Sequence, residues 1–582
     1  MYDRWNLDLL YKGFDDPAYE ADIEEYTRLQ REMHLFLEAR ADTDEVTLAE
    51  GVLEYTERLA EKLERLFSFV ELSHSVNTDD GAIMAQEARL MRLYSDGAAD
   101  AAAARKALGG ISDLEKLLSA SDKAKAYEFY IREAIRDCRH LLSDEAEAVV
   151  AAMDTNAGSA WANMRSYLTS TLRVDCLGKQ LTLSEVRNLA YSDDPALRKA
   201  AYEAELASYE KIQDSVAFAL NNIKNQVTTL ALKRGYASPL EQTLEDARMQ
   251  RSTLDAMMGA IEEYLPAFRR YFRKKGELLG HKNGLPWYDL FAPLGKNEKS
   301  YSPAEAKEYL VSCFGGLAPD MAAMMARAFD EDWIDFYPRA GKSEGAFCSG
   351  IADAKQSRIL TNYDGTFSAV DTLAHELGHA YHNLCTENEL PLNRSYTMPI
   401  AETASTFNEL HLGEYALKQA DSRERAALLD STLRETAQCV VDITCRYRFE
   451  TRVFEESRTS FLMASDLNRI MLECQKQTYG DGLDGDFLNP GMWICKSHYY
   501  STGTSFYNFP YAFGNLFAQG LYSLYKERGS GFMDDYREML RLTGVHTIEQ
   551  DGEMLGIDLS DKAFWQKSLA YVQSQIDEFC RL

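Results

Sequence analysis

The sequence predicts a mainly α-helical protein carrying one small β-sheet beside a metal-binding helix. Three observations support that expectation. Long charged segments repeat apolar residues at helical spacing, as in Tyr55-Thr56-Glu57-Arg58-Leu59-Ala60-Glu61-Lys62-Leu63-Glu64-Arg65-Leu66-Phe67. A group of short β-prone runs lies between residues 333 and 363. Directly after them comes Asp371-Thr372-Leu373-Ala374-His375-Glu376-Leu377-Gly378-His379-Ala380-Tyr381-His382.

In chain order, residues 19 to 108 predict long antiparallel helices, and Gly109-Gly110 ends that pattern, which places a junction near residue 110. A second helical block is expected to about Asp175. Leu181-Thr182-Leu183-Ser184-Glu185 then offers a hydroxyl cap ahead of further helices reaching about Leu279. The pattern breaks at Gly284–Leu294 and resumes at Ser302-Pro303-Ala304-Glu305, where serine caps and proline fills the first turn. Trp333–Tyr337, Gly345–Gly350 and Ser357–Tyr363 are short, β-prone and close to Gly or Pro, so they predict the small sheet. Its open edge could take an extended peptide as an added strand.

Two histidines four apart project from the same helical face, so His375 and His379 can reach one metal ion with Glu376 between them. This is the HExxH spacing of zinc peptidases. Val370, Leu373, Leu377, Ala380 and Leu384 form an apolar stripe on the other side of the helix, so one face packs while the other binds metal. Met398-Pro399 opens a further helix in which Glu402 stands 23 residues beyond His379, far enough for the chain to return a carboxylate to the same ion. His382 is the alternative third ligand. Two imidazoles, one carboxylate and a free fourth position describe a single catalytic zinc. In that reading Glu376 is the general base for the attacking water. Asp371 and Glu409 are candidates to receive the ligands' second N–H.

After helices from Arg434 to Cys474 and a Gly/Asp-rich loop, residues 498 to 514 form the densest aromatic segment. Phe506, Phe509 and Phe513 suit a core. His498, Tyr507 and Tyr511 bring polar tips fit to donate a hydrogen bond to a developing oxyanion, with Tyr500 as a further candidate.

Composition narrows the function. A chain of 582 residues that is 46% hydrophobic can bury an extensive core and form more than one structural unit. A formal net charge of −29 argues against nucleic-acid or anionic-membrane surfaces and favours small or cationic partners. The first eight residues contain no apolar signal core and no run approaches a membrane span, so a cytoplasmic location is expected. The 10 cysteines are scattered singly, which fits reduced thiols.

The HELGH helix, Glu402 with Ser405, Phe407 and Glu409, the Gly-Ala-Phe-Cys run at 345 to 348 and the His498–Gly514 loop together resemble the M3 family of zinc metallopeptidases, specifically its oligoendopeptidase F-like branch. The resemblance implies a zincin-like catalytic domain enclosed with an N-terminal helical domain around a deep substrate channel. It implies residues 1–110 as an N-terminal helical region, 111–185 as an oligopeptidase F-like helical domain and 186–582 as the catalytic domain. It further implies Zn2+ as cofactor, one per chain, and short unstructured peptides as substrate. An endopeptidase is the expected activity. A carboxypeptidase or dipeptidyl carboxypeptidase is the alternative within the same chemistry, and an inactive peptide-binding protein is the alternative outside it.

Overall fold

A computed structural model of the chain, describing residues 3–295 and 299–582, is built almost wholly of helices. The principal ones run in chain order as α1 (Pro17–Glu38), α2 (Glu45–Ser75), α3 (Gln213–Lys233), α4 (Arg251–Leu278), α5 (Phe367–Thr386), α6 (Thr403–Gln419), α7 (Ile443–Glu456), α8 (Phe509–Arg528) and α9 (Lys562–Arg581). Their starts follow local chemistry. Asp16 caps α1 ahead of Pro17, Asp44 accepts from the Val46 and Thr47 amides at the head of α2, and Thr366 accepts from the Ala369 amide at the head of α5. The Thr182/Glu185 and Ser302/Glu305 capping boxes both form.

The strands are β1 (Arg173–Cys176), β2 (Lys179–Thr182), β3 (Ile334–Asp335), β4 (Phe347–Ile351) and β5 (Gln356–Leu360). The first two form a hairpin in place of the helix expected as far as Asp175. The physical reason is local. Arg173-Val174-Asp175-Cys176 alternates exposed and buried residues, and Leu177 and Gly178 both take positive φ (53° and 76°), the backbone of a two-residue hairpin turn.

The chain divides into two compact units, Met1–Leu141 with Glu298–Tyr396 and Arg528–Thr547, and Leu142–Asn297 with Thr397–Glu527 and Ile548–Leu582. In the first, α1 and α2 bury Tyr19, Ile23, Tyr26, Leu66, Phe69 and Val70 in one apolar cluster with Ile351 and Leu360 of the sheet. The sheet order is β3-β5-β4, with β3 parallel and β4 antiparallel to β5, so among the described residues β4 keeps one edge open. Helix α5 buries Val370, Leu373, Leu377 and Ala380, which turns His375 and His379 to the opposite, partly exposed side. In the second unit α4 packs along α9, with the Tyr271 and Phe579 rings 5.3 Å apart. Buried Lys224 of α3 pairs there with buried Glu450 of α7 at 2.6 Å. Among the described residues no helix is long and apolar enough to cross a membrane.

Candidate metal centre and active site

Helix α5 sets the His375 and His379 rings 4.9 Å apart between centroids. Glu402 stands where a short helix, Met398–Ala401, gives way to α6. Ligand atoms of His375, His379 and Glu402 all lie within 4.8 Å of one another, and each of the three is partly exposed. Two nitrogen donors and one oxygen donor, reachable from solvent, suit zinc and leave a coordination position open. Ser405, one turn into α6, donates its hydroxyl to the Glu402 carboxylate at 2.8 Å and so fixes the orientation of that side chain.

Glu376 is 5% exposed on the same helix. Its neighbour is Cys348 of β4, whose thiol is pushed up by burial and then by the Glu376 charge, so β4 lies beside Glu376. His382 faces elsewhere. It is fully buried, stacks on Tyr396 at 4.1 Å and 9°, and sets its Nε2 2.9 Å from the Thr543 hydroxyl. Burial, followed by nearby His379, holds its pKa down at about 3. Asp371 and Glu409 are both half-buried, Asp371 one turn before His375 and Glu409 two turns after Glu402.

The aromatic segment leads into α8. The His498 ring lies 4.7 Å from that of Tyr507 and 6.3 Å from that of Tyr511, and the two tyrosine rings are 5.8 Å apart. Burial, the neighbouring Tyr507 and the Glu402 charge all push the Tyr511 phenol up, so its hydroxyl keeps its proton at neutral pH and the loop stands next to Glu402. The buried Tyr500 hydroxyl donates to the Trp493 carbonyl at 3.1 Å and is thereby occupied. Phe506 takes a positive φ of 52°, costly for a bulky residue, and its amide donates to Glu450 at 3.1 Å. The Lys224–Glu450 pair therefore holds the backbone that aims Tyr507.

Sequence reasoning missed the residues behind this loop. Asp442 pairs with Arg446 one turn later, Arg446 donates to the Asn508 side-chain oxygen at 3.3 Å, and that oxygen lies 3.2 Å from His498 Nδ1. The available signal was weak, namely Asp442 and Arg446 at i,i+4 in an otherwise apolar run.

Residues 320–571 match the family described as peptidase family M3, and residues 111–173 match the family described as oligopeptidase F. The chain belongs to peptidase family M3. This M3 peptidase is 24% identical to oligopeptidase PepF of Bacillus subtilis, over 99% of the chain and 86% of the relative. It is 25% identical to an oligoendopeptidase F homolog of Lactococcus lactis, over 99% and 97%. Among solved structures, one from Chlamydophila abortus superposes with a TM-score of 0.86 at 22% identity, covering 100% of this chain and 98% of that one. Oligoendopeptidase-F from Enterococcus faecium gives 0.70 at 21% identity, covering 96% and 98%. The M3 match spans the cluster of His375, His379 and Glu402 and the whole aromatic segment.

Proposed function

We propose that this M3 peptidase is a zinc-dependent endopeptidase that hydrolyses short unstructured peptides in the cytoplasm. The observation that carries the reading is the convergence of His375, His379 and Glu402 within 4.8 Å, with Glu376 on the same helix as the two histidines. These three side chains would hold one zinc, which when bound lowers the pKa of a coordinated water towards about 7 and polarises the peptide carbonyl.

The chain's own residues supply the rest. A substrate strand pairs with the open edge of β4, exchanging backbone hydrogen bonds with residues 347 to 351 and passing Glu376. Only an extended, unfolded peptide can pair in this way. Glu376 Oε takes the proton of the attacking water and returns it to the leaving amine, which needs a carboxylate largely shielded from solvent and close to the scissile bond. The His498–Tyr507–Tyr511 group faces the developing negative charge on the carbonyl oxygen. One hydroxyl donor aimed at that oxygen contributes about 2.7–4 kcal/mol.

Digestion of a mixed peptide library with and without a chelator, with cut sites mapped by mass spectrometry, tests the proposal. Chelator-sensitive internal cuts are expected. Trimming confined to the C-terminus would point to a carboxypeptidase, and no cleavage at all would overturn the catalytic reading.

A further inference from the structure

The side chains behind the aromatic loop determine which nitrogen of His498 carries its proton, and that decides what the ring can do. Arg446 has only donors to offer. Its Nη1 lies 3.3 Å from Asn508 Oδ1, so the amide must present its oxygen to the guanidinium, because a turned amide would set an NH2 group against a cation. Neither partner can swing into solvent. Asn508 is 1% exposed and Arg446 9%, and Arg446 is paired with Asp442, itself 3% exposed and an acceptor for the Tyr479 hydroxyl at 3.2 Å. Asn508 immediately precedes α8, where an asparagine oxygen commonly caps the helix, yet here the oxygen is turned to Arg446 and His498.

The same oxygen lies 3.2 Å from His498 Nδ1. It has only a lone pair to offer, so Nδ1 must carry the hydrogen. We propose that Arg446 and Asn508 are positioning residues that lock His498 in the Nδ1–H form, so that Nε2 presents a lone pair to the site and the hydrogen bond to the oxyanion comes from Tyr507 or Tyr511. The proposal rests on the peptidase reading above and assigns His498 an accepting role within it. Burial, with the charges of Arg446 and Lys496, depresses the His498 pKa against the opposing Asn508 hydrogen bond and Glu450 charge, which keeps the ring neutral. A neutral ring with hydrogen on Nδ1 cannot donate from Nε2. It can accept from a tyrosine hydroxyl, and the Tyr507 and Tyr511 rings lie beside it, the first tilted at 46° and the second near-parallel at 19°.

The test is 15N NMR of the metal-free, full-length protein labelled at histidine, with His498 assigned by difference from His498→Gln. The expected spectrum has a protonated Nδ1 and an unprotonated, downfield Nε2. The reverse pattern overturns the proposal and needs no further variant. Asn508→Leu removes the acceptor and is expected to shift the ring toward Nε2–H, so an unchanged pattern in a folded variant would overturn the locking role. In turnover the same variant is expected to lose about tenfold or more in kcat with KM within about twofold. Unchanged kcat with a switched tautomer would remove Nε2 from the accepting role. The spectrum requires neither metal nor activity, so failure of the zinc-peptidase reading and failure of the locked tautomer appear in separate measurements.

Discussion

Replacing Gly514 by alanine perturbs Glu402, the proposed third metal ligand, without replacing it. Gly514 sits early in α8, and a Cβ built there would stand 3.2 Å from Glu402 Cβ and 3.2 Å from the Pro399 carbonyl. Ordinary contact begins a few tenths of an ångström farther out, so Glu402 must move by about that amount. The displacement falls on Glu402 itself, the junction residue of two helices, whose backbone (φ −87°, ψ 4°) lies outside the α-helical region. Metal–ligand distances tolerate only about ±0.2 Å, and changes in what supports a ligand commonly weaken metal binding about 10- to 100-fold. We expect about a tenfold rise in the zinc dissociation constant, equivalent to about 1.4 kcal/mol. Alanine also favours the helix by up to about 1 kcal/mol, so the metal-free protein should keep its stability within that margin. Competition with a chromogenic chelator measures the first quantity and calorimetry of the metal-free protein the second, with Glu402→Ala as the benchmark for outright ligand loss. Unchanged zinc affinity in Gly514→Ala beside a large loss in Glu402→Ala would refute the argument that this contact positions the carboxylate.

Three further outcomes are expected. Glu376→Gln should retain zinc and fold while turnover falls about 10²- to 10⁴-fold, and near-parental activity would remove Glu376 from the role of base. Lys224→Met leaves Glu450 buried without its cationic partner, so urea unfolding should show a loss of about 3–5 kcal/mol. Adding Glu450→Gln, which still accepts from the Phe506 amide, should recover much of that loss, and an undiminished loss in the double variant would refute the assignment. His382 is neutral in the fold until about pH 3, whereas the unfolded chain takes up that proton near pH 6.5, so below pH 6.5 the unfolded state binds more protons and stability falls with pH. By pH 4.5 the contribution is about 2–3 kcal/mol, and denaturant titrations of His382→Gln should show a correspondingly flatter slope between pH 6.5 and 4.5.

What was legible in the sequence was what is local. The HExxH helix announces itself because ligand spacing and the apolar stripe of Val370, Leu373 and Leu377 both depend on the 3.6-residue period. The three strands before it are short and β-prone, so their presence was readable although their pairing order was not. The hairpin at Arg173–Thr182 escaped because its two strands are only four residues each and its turn places Leu177, with no turn signature, in the left-handed region. Chain length allowed Glu402 to return to the histidines without requiring it, and the packing that brings the three together is tertiary. The same holds for Lys224 and Glu450, 226 positions apart, and for Arg446 and Asn508, 62 apart.

The π-helical turn Gln438–Asp442 shows why the support of the site was the hardest part to read. Its residues, Gln-Cys-Val-Val-Asp, would sit in an ordinary α-helix without complaint, and no propensity marks the extra residue. That residue turns everything after it by about 100° relative to everything before it. At the start of the turn, burial, followed by the charges of Glu409, Glu435 and Glu402, pushes the Cys439 thiol up to about 12. At its end Asp442 accepts from Tyr479 and pairs with Arg446, which reaches Asn508 and, through Asn508, His498. One helical stretch thus approaches the Glu402 carboxylate at Cys439 and the aromatic loop at Asp442 and Arg446, with the extra residue altering the angle between the two directions. The register shift is a tertiary compromise at the site, and it joins the two groups of side chains on which the proposed chemistry depends.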